Sequence, residues 1–285
     1  MTLEQLRIFI AVAELEHVTR AAARLNLTQS ATSAAIAALE ARHGTPLFDR
    51  VGRRIALTAA GRAFLPAARA VLAEAAAAEG VLADLAGLAR GHVTLAASQT
   101  VGGYWLPARL LRFRRAYPAI TLALRMTNTE GAAALVRDGQ ADLALVEGAV
   151  DDPALTSMIL AEDRMMLVAA PDLALCAEMA GWPWLLREPG SGSRALLEQA
   201  LTARGLALAD LDIMLELPSN EAVRAAVLAG GGVALLSAAV VGCDLEAGSL
   251  RRLDLDLPAR QFHLLHHRER NPARAARALI DLLKT

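Results

Sequence analysis

The segment His17–Leu39, HVTRAAARLNLTQSATSAAIAAL, decides the fold of the N-terminal part of this 285-residue chain. Thr19 is placed to cap one helix, and Thr28 is placed to cap the next helix after a short turn. The apolar side chains of this second helix, such as Ile36 and Leu39, fall on one face. The spacing therefore predicts a helix, a tight turn and a second helix.

Small polar side chains cluster on the first turns of the second helix. They are Thr28, Gln29, Ser30, Thr32 and Ser33. Amides and hydroxyls at the start of the second helix of such a pair reach base edges in the major groove of double-stranded DNA. The alternative is a packed helical hairpin that binds no nucleic acid.

The stretch from Pro46 to Thr58 predicts two short strands around a glycine turn, a wing that displays Arg50, Arg53 and Arg54. Residues 1–69 hold nine arginines against five acidic residues, although the net charge of the whole chain is −1. A basic N-terminal segment followed by an acidic remainder favours a polyanionic partner for the N-terminal segment. We expect the wing arginines to contact DNA phosphates.

A long helix rich in Ala and Leu is predicted from Thr58 to about Leu88. No other domain adjoins it in sequence to cover its apolar side, which includes Leu65 and Leu72. A second copy of the helix would bury this side. We therefore expect a homodimer or homotetramer.

After Gly91, short apolar runs alternate with helical stretches, which is typical of α/β modules with parallel strands. Strands are predicted at 93–97, 120–126 and 143–146 in a first module and near 165–169, 184–186, 213–216 and 233–236 in a second. Two such lobes imply a cleft between them. Ligands of α/β folds bind where strands end and helices begin, because free backbone donors and the helix dipole favour anions there.

Polar side chains lie in the loops that face this predicted cleft. The candidate ligand-binding residues are Ser98, Gln99, Thr100, Asn128, Thr129, Glu147, Ser191, Ser193, Arg194 and Asn220. Their hydroxyls, amides and arginine suit a small oxyanion or carboxylate. The alternative for each Ser, Thr or Asn is that it only caps its helix.

Several motifs have close counterparts, in matching order, in a known family. They are Leu3-Arg7-Phe9, Ala21-Ala22-Leu25, Leu27-Thr28-Gln29-Ser30, Leu39-Glu40, Leu47-Phe48-Arg50 and Leu57-Thr58-Gly61. Through these residues the chain resembles LysR-type transcriptional regulators. The resemblance covers essentially the whole chain. It implies that the DNA-binding residues are Thr28, Gln29, Ser30, Thr32, Ser33, Arg50, Arg53 and Arg54.

The resemblance also implies an α/β fold class with three parts. Residues 1–58 form a winged helix-turn-helix, 59–90 a linker and dimerisation helix, and 91–285 a two-lobed effector-binding domain like the periplasmic solute-binding proteins. Lobe I is expected at 91–161 and 268–285, and lobe II at 162–267. The crossovers between the lobes are then expected near 161–163 and 263–268.

One pair of residues departs from the family pattern. Many members have a basic or long polar pair after the serine that corresponds to Ser33, whereas this chain has Ala34-Ala35. This departure shifts the expected phosphate contacts to the wing arginines. The segments 97–107, 128–129 and 142–148 are most similar to the branch that controls sulfur assimilation and carbon fixation, which implies a sulfur oxyanion or a phosphorylated metabolite as effector. RNA polymerase is a further candidate partner.

Two other classes of protein compete with this interpretation: an NAD-dependent enzyme and a solute-binding protein, each with an accessory helical domain. Gly190–Ala195 fits the dinucleotide fingerprint. It does not open its α/β domain, however, and Arg194 occupies a variable position of the pattern. No catalytic constellation is apparent, so we expect neither an enzyme nor a cofactor.

The remaining features point to a cytoplasmic protein without a membrane segment. Glu4 and Arg7 interrupt the first apolar stretch, unlike a secretory signal, and glycines at 230–232 divide the charge-free run 225–243 into a helix and a strand. The two cysteines, Cys176 and Cys243, are too few for a disulfide framework and are expected to be buried, inert thiols. The histidines at 263, 266 and 267 are expected on a surface strand rather than in a metal site.

Overall fold

A computed structural model describes residues 1–51, 54–85 and 91–284 of the chain. These residues form two compact units. The first unit contains Met1–Leu85 together with Asp138–Gln140, and the second contains the other described residues. Arg53 lies outside the described residues, as do positions 86–90, where the long helix was predicted to end.

The first unit is a helix-turn-helix followed by a two-stranded wing and a long helix. Its elements are α1 (Leu3–Leu15), α2 (Val18–Arg24), α3 (Gln29–His43), β1 (Phe48–Val51), β2 (Arg54–Leu57) and α4 (Ala59–Leu85). Thr28 caps α3 as predicted, since its hydroxyl accepts the N–H of Ala31 at 3.2 Å. The predicted cap at Thr19 is wrong: α2 begins at Val18, two residues earlier than predicted, and His17 caps it.

A small apolar core joins the helices of this unit to the wing. The ring of Phe9 packs against those of Phe48 and Phe64, with centroid distances of 5.4 and 5.1 Å. Glu40 on α3 accepts the backbone N–H groups of Leu47 and Phe48 at 2.7 and 3.0 Å. The second helix of the motif therefore fixes the position at which the wing begins.

Gly61 lets α4 pack closely against the start of the wing. A Cβ atom on this residue would lie 2.1 Å from the carbonyl oxygen of Leu47. We expect Gly61→Ala to lower the free energy of unfolding by about 1–3 kcal/mol, because the backbone must shift to admit a methyl group. Urea denaturation checks this value, with Gly103→Ala as control because its Cβ would meet nothing within 4 Å. An unchanged unfolding midpoint for Gly61→Ala would contradict the close approach.

The apolar residues of α4 divide between two sides of the helix. Leu65 and Leu72, which were expected to face a second copy, are partly buried against the core of their own unit, around Phe9 and Ala68. Val71 and Leu82 are instead exposed, with 41% and 69% of their surface accessible. The predicted dimer contact through Leu65 and Leu72 stays a prediction, and Val71 and Leu82 lie on a second, exposed stripe of the helix.

The second unit contains ten strands and six α-helices in its described residues. The strands are β3 (Gly91–Ser98), β4 (Ile120–Thr127), β5 (Leu143–Glu147), β6 (Leu155–Asp163), β7 (Met165–Ala169), β8 (Pro183–Arg187), β9 (Asp212–Leu217), β10 (Ala234–Ser237), β11 (Arg251–Leu253) and β12 (Arg260–His267). The helices are α5 (Leu106–Ala116), α6 (Thr129–Arg137), α7 (Gly192–Thr202), α8 (Asn220–Leu228), α9 (Ala238–Glu246) and α10 (Arg274–Leu283). A π-helical turn, Val101–Trp105, precedes α5.

Five strands form the first sheet of this unit in the order β4-β3-β5-β12-β6. The first three are parallel, as predicted, but β12 is antiparallel to both of its neighbours. Strand β6 was not predicted from the sequence. Residues up to 267 were predicted to belong to lobe II, whereas Arg260–His267 forms hydrogen bonds within the first sheet along its length.

The second half of the unit has mixed strand pairing. Strand β7 lies between β10 and β11 and is antiparallel to both, while β8 and β9 form a separate parallel pair. Trp184 and Leu197 are fully buried in its core. The expectation of purely parallel strands is wrong here, because alternating helices and strands do not distinguish a crossover from an antiparallel return.

The charge-free run 225–243 forms the end of α8, a glycine turn, β10 and the first part of α9. Gly230 and Gly232 have positive φ angles in that turn. Within the part of the chain that the structure describes, no helix has both the length and the apolar character needed to cross a membrane. Cys176 and Cys243 are exposed, which corrects the expectation that they are buried.

Candidate functional site

The exposed surface of α3 carries most of the predicted base-reading residues. Gln29, Ser30 and Ser33 are exposed, and so is the capping residue Thr28. Thr32 is different because it is fully buried and its hydroxyl donates to the Thr28 carbonyl at 3.0 Å. Thr32 therefore holds the start of the helix and does not lie on the exposed face.

The wing arginines are placed only through their backbone. Arg50 lies in β1 opposite Ile55, and Arg54 begins β2 opposite Val51. The side chains of Arg50 and Arg54 lie outside the described residues, as does the whole of Arg53. The antiparallel pairing sets the backbone of Arg50 and Arg54 within a two-stranded hairpin.

In the second unit, the predicted cleft residues converge around one buried carboxylate, that of Glu147 at the end of β5. The N–H of Thr100 donates to Glu147 Oε1 at 3.2 Å, and the hydroxyl of Thr129 donates to Oε2 at 3.1 Å. Ser98 and Thr100 are also almost fully buried. Burial raises the pKa of Glu147, but the charge of Arg260 and hydrogen bonds from Ser98 and Thr100 outweigh it, so the pKa lies below its usual range. This carboxylate is ionised at neutral pH.

Arg260 was not predicted to take part in the site. It begins β12 opposite Asp163, the last residue of β6, and its Nε donates to the Asp163 carboxylate at 2.7 Å. Its Nη1 also donates to Ser193 Oγ at 3.2 Å. Ser237 donates to the same aspartate at 2.7 Å. These contacts join the ends of both crossover strands to α7 and β10 of the other lobe.

A second set of hydrogen bonds joins the lobes directly. Gln99 donates to the Pro218 carbonyl at 2.8 Å and accepts the N–H of Asn220 at 2.9 Å. The Asn220 amide donates to Thr100 Oγ1 at 3.0 Å, and its oxygen accepts from the buried Arg187. Gln99, Thr100 and Asn220, three of the predicted ligand residues, therefore bond to each other or to backbone across the cleft.

Tyr104 makes a further contact across the cleft. Its hydroxyl donates to Glu221 at the start of α8. Burial and the Glu221 carboxylate raise the pKa of Tyr104 to about 12. Near it, Arg224 pairs with Asp244 through two hydrogen bonds of 2.6 and 2.7 Å. Because its pKa is raised, the Tyr104 phenol is protonated at neutral pH and acts as a hydrogen-bond donor.

The glycine-rich loop before α7 packs against lobe I. A Cβ on Gly190 would lie 2.6 Å from Glu130 Oε2, and one on Gly192 would lie 3.0 Å from the Glu147 carbonyl oxygen. Asn128 donates to the Pro189 carbonyl at 3.2 Å. The glycines thus let this loop pack closely against the Glu130 side chain and the backbone of Glu147.

The start of α7 keeps an unused polar group. Ser191 is buried and occupies the capping position, yet its hydroxyl makes no capping bond and no other hydrogen bond within the described residues. Ser193 accepts from Arg260, while Arg194 pairs with Glu198 at 3.1 Å and with Glu216. Ser191, Glu147, Thr129 and Arg260 line a cavity of about 790 Å³ between the lobes.

Residues missed by the sequence analysis are Arg187, Arg260, Asp163 and Tyr104. A signal existed for Arg187, since it directly follows the apolar run Trp184–Leu186 of its strand. His263 is buried and hydrogen-bonded to Ser157 at 2.8 Å, so the expectation of a surface strand is wrong for it. In the described ranges, no three His, Cys, Asp or Glu side chains are grouped as a metal site requires.

Comparison with known proteins identifies both units. Residues 3–62 match the bacterial regulatory helix-turn-helix proteins of the lysR family, and residues 86–285 match the LysR substrate binding domain. The regulator CbbR of Rhodospirillum rubrum is 34% identical over 99% of this chain and 95% of its own length. The uncharacterised regulator YeiE of Escherichia coli K12 is also 34% identical, over 99% of this chain and 96% of its own length.

A solved structure shares the fold of the second unit. The regulatory domain of CcmR from Synechocystis PCC6803, in complex with 2-PG, superposes with a TM-score of 0.62 at 24% identity. It covers 68% of this chain and 96% of its own. Together, the two family matches span the helix-turn-helix and the two-lobed domain. The chain belongs to the LysR family of DNA-binding transcriptional regulators.

Proposed function

We propose that this regulator acts in the cytoplasm as a homodimer or homotetramer that binds operator DNA and responds to a small acidic effector. Helix α3 and the wing bind the DNA, and the cleft around Glu147 and the start of α7 binds the effector. The regulator catalyses no reaction. The convergence of polar residues from both lobes on one cavity carries the effector part of the proposal. The helix-turn-helix carries the DNA part.

The start of α7 is the place where an acidic group fits best. Backbone N–H groups at a helix N-terminus favour anions, and the Ser191 hydroxyl next to them is free to donate. CcmR, whose domain has the same fold, binds 2-PG, that is 2-phosphoglycolate. The similarity to CbbR and to the RuBisCO operon regulator of Allochromatium vinosum supports a phosphorylated or other oxyanionic effector.

The DNA part is tested by fluorescence anisotropy with DNA from upstream of the gene and with random DNA, over a range of salt concentrations. We expect Arg53→Ala/Arg54→Ala to weaken binding to both DNAs. The slope of log K against log salt concentration should also become shallower, by the amount that corresponds to about two lost phosphate contacts. Gln29→Ala and Ser33→Ala should instead reduce the preference for the upstream DNA, since base contacts carry specificity. A full salt slope in the double arginine variant would show that the wing does not contact phosphates.

The effector part is tested by calorimetry on the full-length protein with sulfite, sulfate, thiosulfate and 2-phosphoglycolate. Binding of one of these anions, weakened about tenfold by Ser191→Ala, supports the cleft as the effector site. The control variant is Ser249→Ala, which is far from α7 in the chain and exposed. Equal anion binding by wild type and Ser191→Ala would contradict a site at the start of α7.

Helix α4 offers an apolar stripe for a second copy of the chain. Val71, Ala75, Ala78 and Leu82 recur at intervals of three and four residues, as in a coiled coil. We expect Val71→Glu/Leu82→Glu to dissociate the oligomer, because two buried charges would face their copies across the seam. Sedimentation velocity measures this outcome. Ala76→Glu, on another side of the helix, should leave the oligomer intact. If Val71→Glu/Leu82→Glu also remains an oligomer, this stripe is not the contact between the copies.

A further inference from the structure

The cavity beside α7 carries more acidic than basic side chains. Its lining includes five carboxylates and three arginines, namely Glu130, Glu147, Asp151, Asp152 and Glu198 against Arg137, Arg194 and Arg260. Each arginine already has an acidic partner: Arg137 pairs with Asp152 at 3.2 Å, Arg194 with Glu198, and Arg260 with Asp163. The cavity therefore has no surplus of positive charge to neutralise an acidic ligand.

The excess negative charge is deepest at Glu147. The guanidinium of Arg260 makes its ion pair with Asp163, while neutral donors, the Thr100 N–H and the Thr129 hydroxyl, hold the Glu147 carboxylate. His263 also lines the cavity, but burial lowers its pKa, so its ring adds no positive charge at neutral pH. Arg260 is thus the one arginine whose positive charge acts on both buried carboxylates, those of Asp163 and Glu147. The Glu147 carboxylate therefore stays ionised in the cavity wall, where it can pair with a cation that enters the cavity.

The start of α7 has the opposite character. Its backbone N–H groups and the free Ser191 hydroxyl favour a negative group, as described above. The two regions adjoin, since the Cβ position of Gly192 is 3.0 Å from the Glu147 carbonyl oxygen. A ligand that used both regions would need opposite charges separated by only a few bonds.

We propose that the effector is a small zwitterion, a short aminoalkyl acid whose acidic group binds at the start of α7 and whose ammonium group binds Glu147. This inference rests on the proposed function and narrows the class of effector. The acidic end can be a carboxylate, a sulfonate or a phosphonate, because helix N–H groups and a hydroxyl accommodate each of them. The ammonium end is the new element, and Glu147 selects it.

The test compares acids that differ only at the amino group, using calorimetry on the full-length protein. The pairs are β-alanine and 3-hydroxypropionate, taurine and isethionate, and aminomethylphosphonate and hydroxymethylphosphonate. We expect at least one amino acid of these pairs to bind about tenfold or more tightly than its hydroxy counterpart, because a charge-assisted contact replaces a neutral one.

Two variants locate each end of the ligand. Glu147→Gln keeps the shape of the side chain but removes its charge, so the ratio of affinities within a pair should fall to about one. Glu147→Asp keeps the charge and should retain a preference for the amino member of each pair. This variant is the control that separates loss of the charge from a general effect of substitution at this position. Ser191→Ala should weaken both members of a pair equally and leave their ratio unchanged.

Three outcomes overturn this inference. If the hydroxy acids or simple anions bind as well as the amino acids, the ligand is an anion alone; the inference then fails while the proposed acidic effector stands. If the preference for the amino group persists in Glu147→Gln, the ammonium group binds elsewhere. If no member of any pair binds while DNA binding is intact, the effector is not a short aminoalkyl acid.

Discussion

Arg260→Ala should lower the free energy of unfolding by about 3–5 kcal/mol, the cost of breaking a buried ion pair from one side. The Arg260 side chain is almost fully buried with that of Asp163, and Glu147 lies in the same buried region. Removal of the guanidinium leaves two carboxylates with neutral donors only. It also breaks the bond to Ser193, which ties α7 to the crossover strands. Chemical denaturation of the full chain measures the loss.

The cost of Arg260→Ala should depend on pH in a defined direction. In the native protein the pKa of Glu147 is lowered, so its ionised form contributes stability that is lost as the pH falls through the folded pKa. Without Arg260, burial dominates and raises the pKa of Glu147. Protonation of Glu147 at acid pH then removes the unpaired buried charge, and the variant loses less stability there. The difference in unfolding free energy between wild type and Arg260→Ala should therefore be largest at neutral pH and should shrink below pH about 5.

Two control variants separate charge from shape at this position. Arg260→Lys keeps the positive charge and should cost less than the alanine variant. Asp163→Ala/Arg260→Ala should be less destabilised than the sum of its single variants, because it removes both partners of the pair. If the destabilisation of the double variant equals the sum of the two single variants, Arg260 and Asp163 do not interact, and Arg260 is not a cation shared by Asp163 and Glu147.

The sequence predicted the helix-turn-helix well because its signals are local. The start of α3 is marked by Thr28, whose hydroxyl accepts the N–H of a residue only three positions further along the chain. The apolar spacing of α3 identifies its buried face. Periodicity identifies such a face without identifying what covers it. Leu65 and Leu72 were therefore assigned to a partner, although they pack on their own unit. For the same reason Thr32 was counted with the exposed polar residues.

The effector cleft was only partly predictable. The loop residues Ser98, Thr100 and Asn220 were selected because polar groups at strand ends mark ligand sites in α/β folds, and their role in effector binding stays a prediction. Arg260 and Asp163 were not, since they are 97 residues apart and meet only through the antiparallel pairing of β12 with β6. A crossover strand carries no local signal for its partner. The charge balance of the cavity, which depends on these residues, became visible only in the structure.

Gly192→Val should hold the two lobes apart without unfolding either of them. The Cβ position of Gly192 is already 3.0 Å from the Cβ and carbonyl oxygen of Glu147 and from Thr129 Oγ1, and a branched side chain needs more room than that. The backbone of β5 is fixed in its sheet and cannot yield. The loop before α7 must therefore move away from lobe I and open the cleft.

Amide hydrogen exchange measures this opening at one bond. The N–H of Glu130 donates to the Gly190 carbonyl at 3.2 Å across the cleft, so its exchange should accelerate about tenfold or more in Gly192→Val. The N–H of Leu95, inside the first sheet, should keep its protection because neither of its neighbouring strands changes. Gly103→Ala, in open space, should leave both rates unchanged. Unchanged exchange at Glu130 in Gly192→Val would mean that the lobes adjust around the new side chain, and that glycine at this position does not control closure of the cleft.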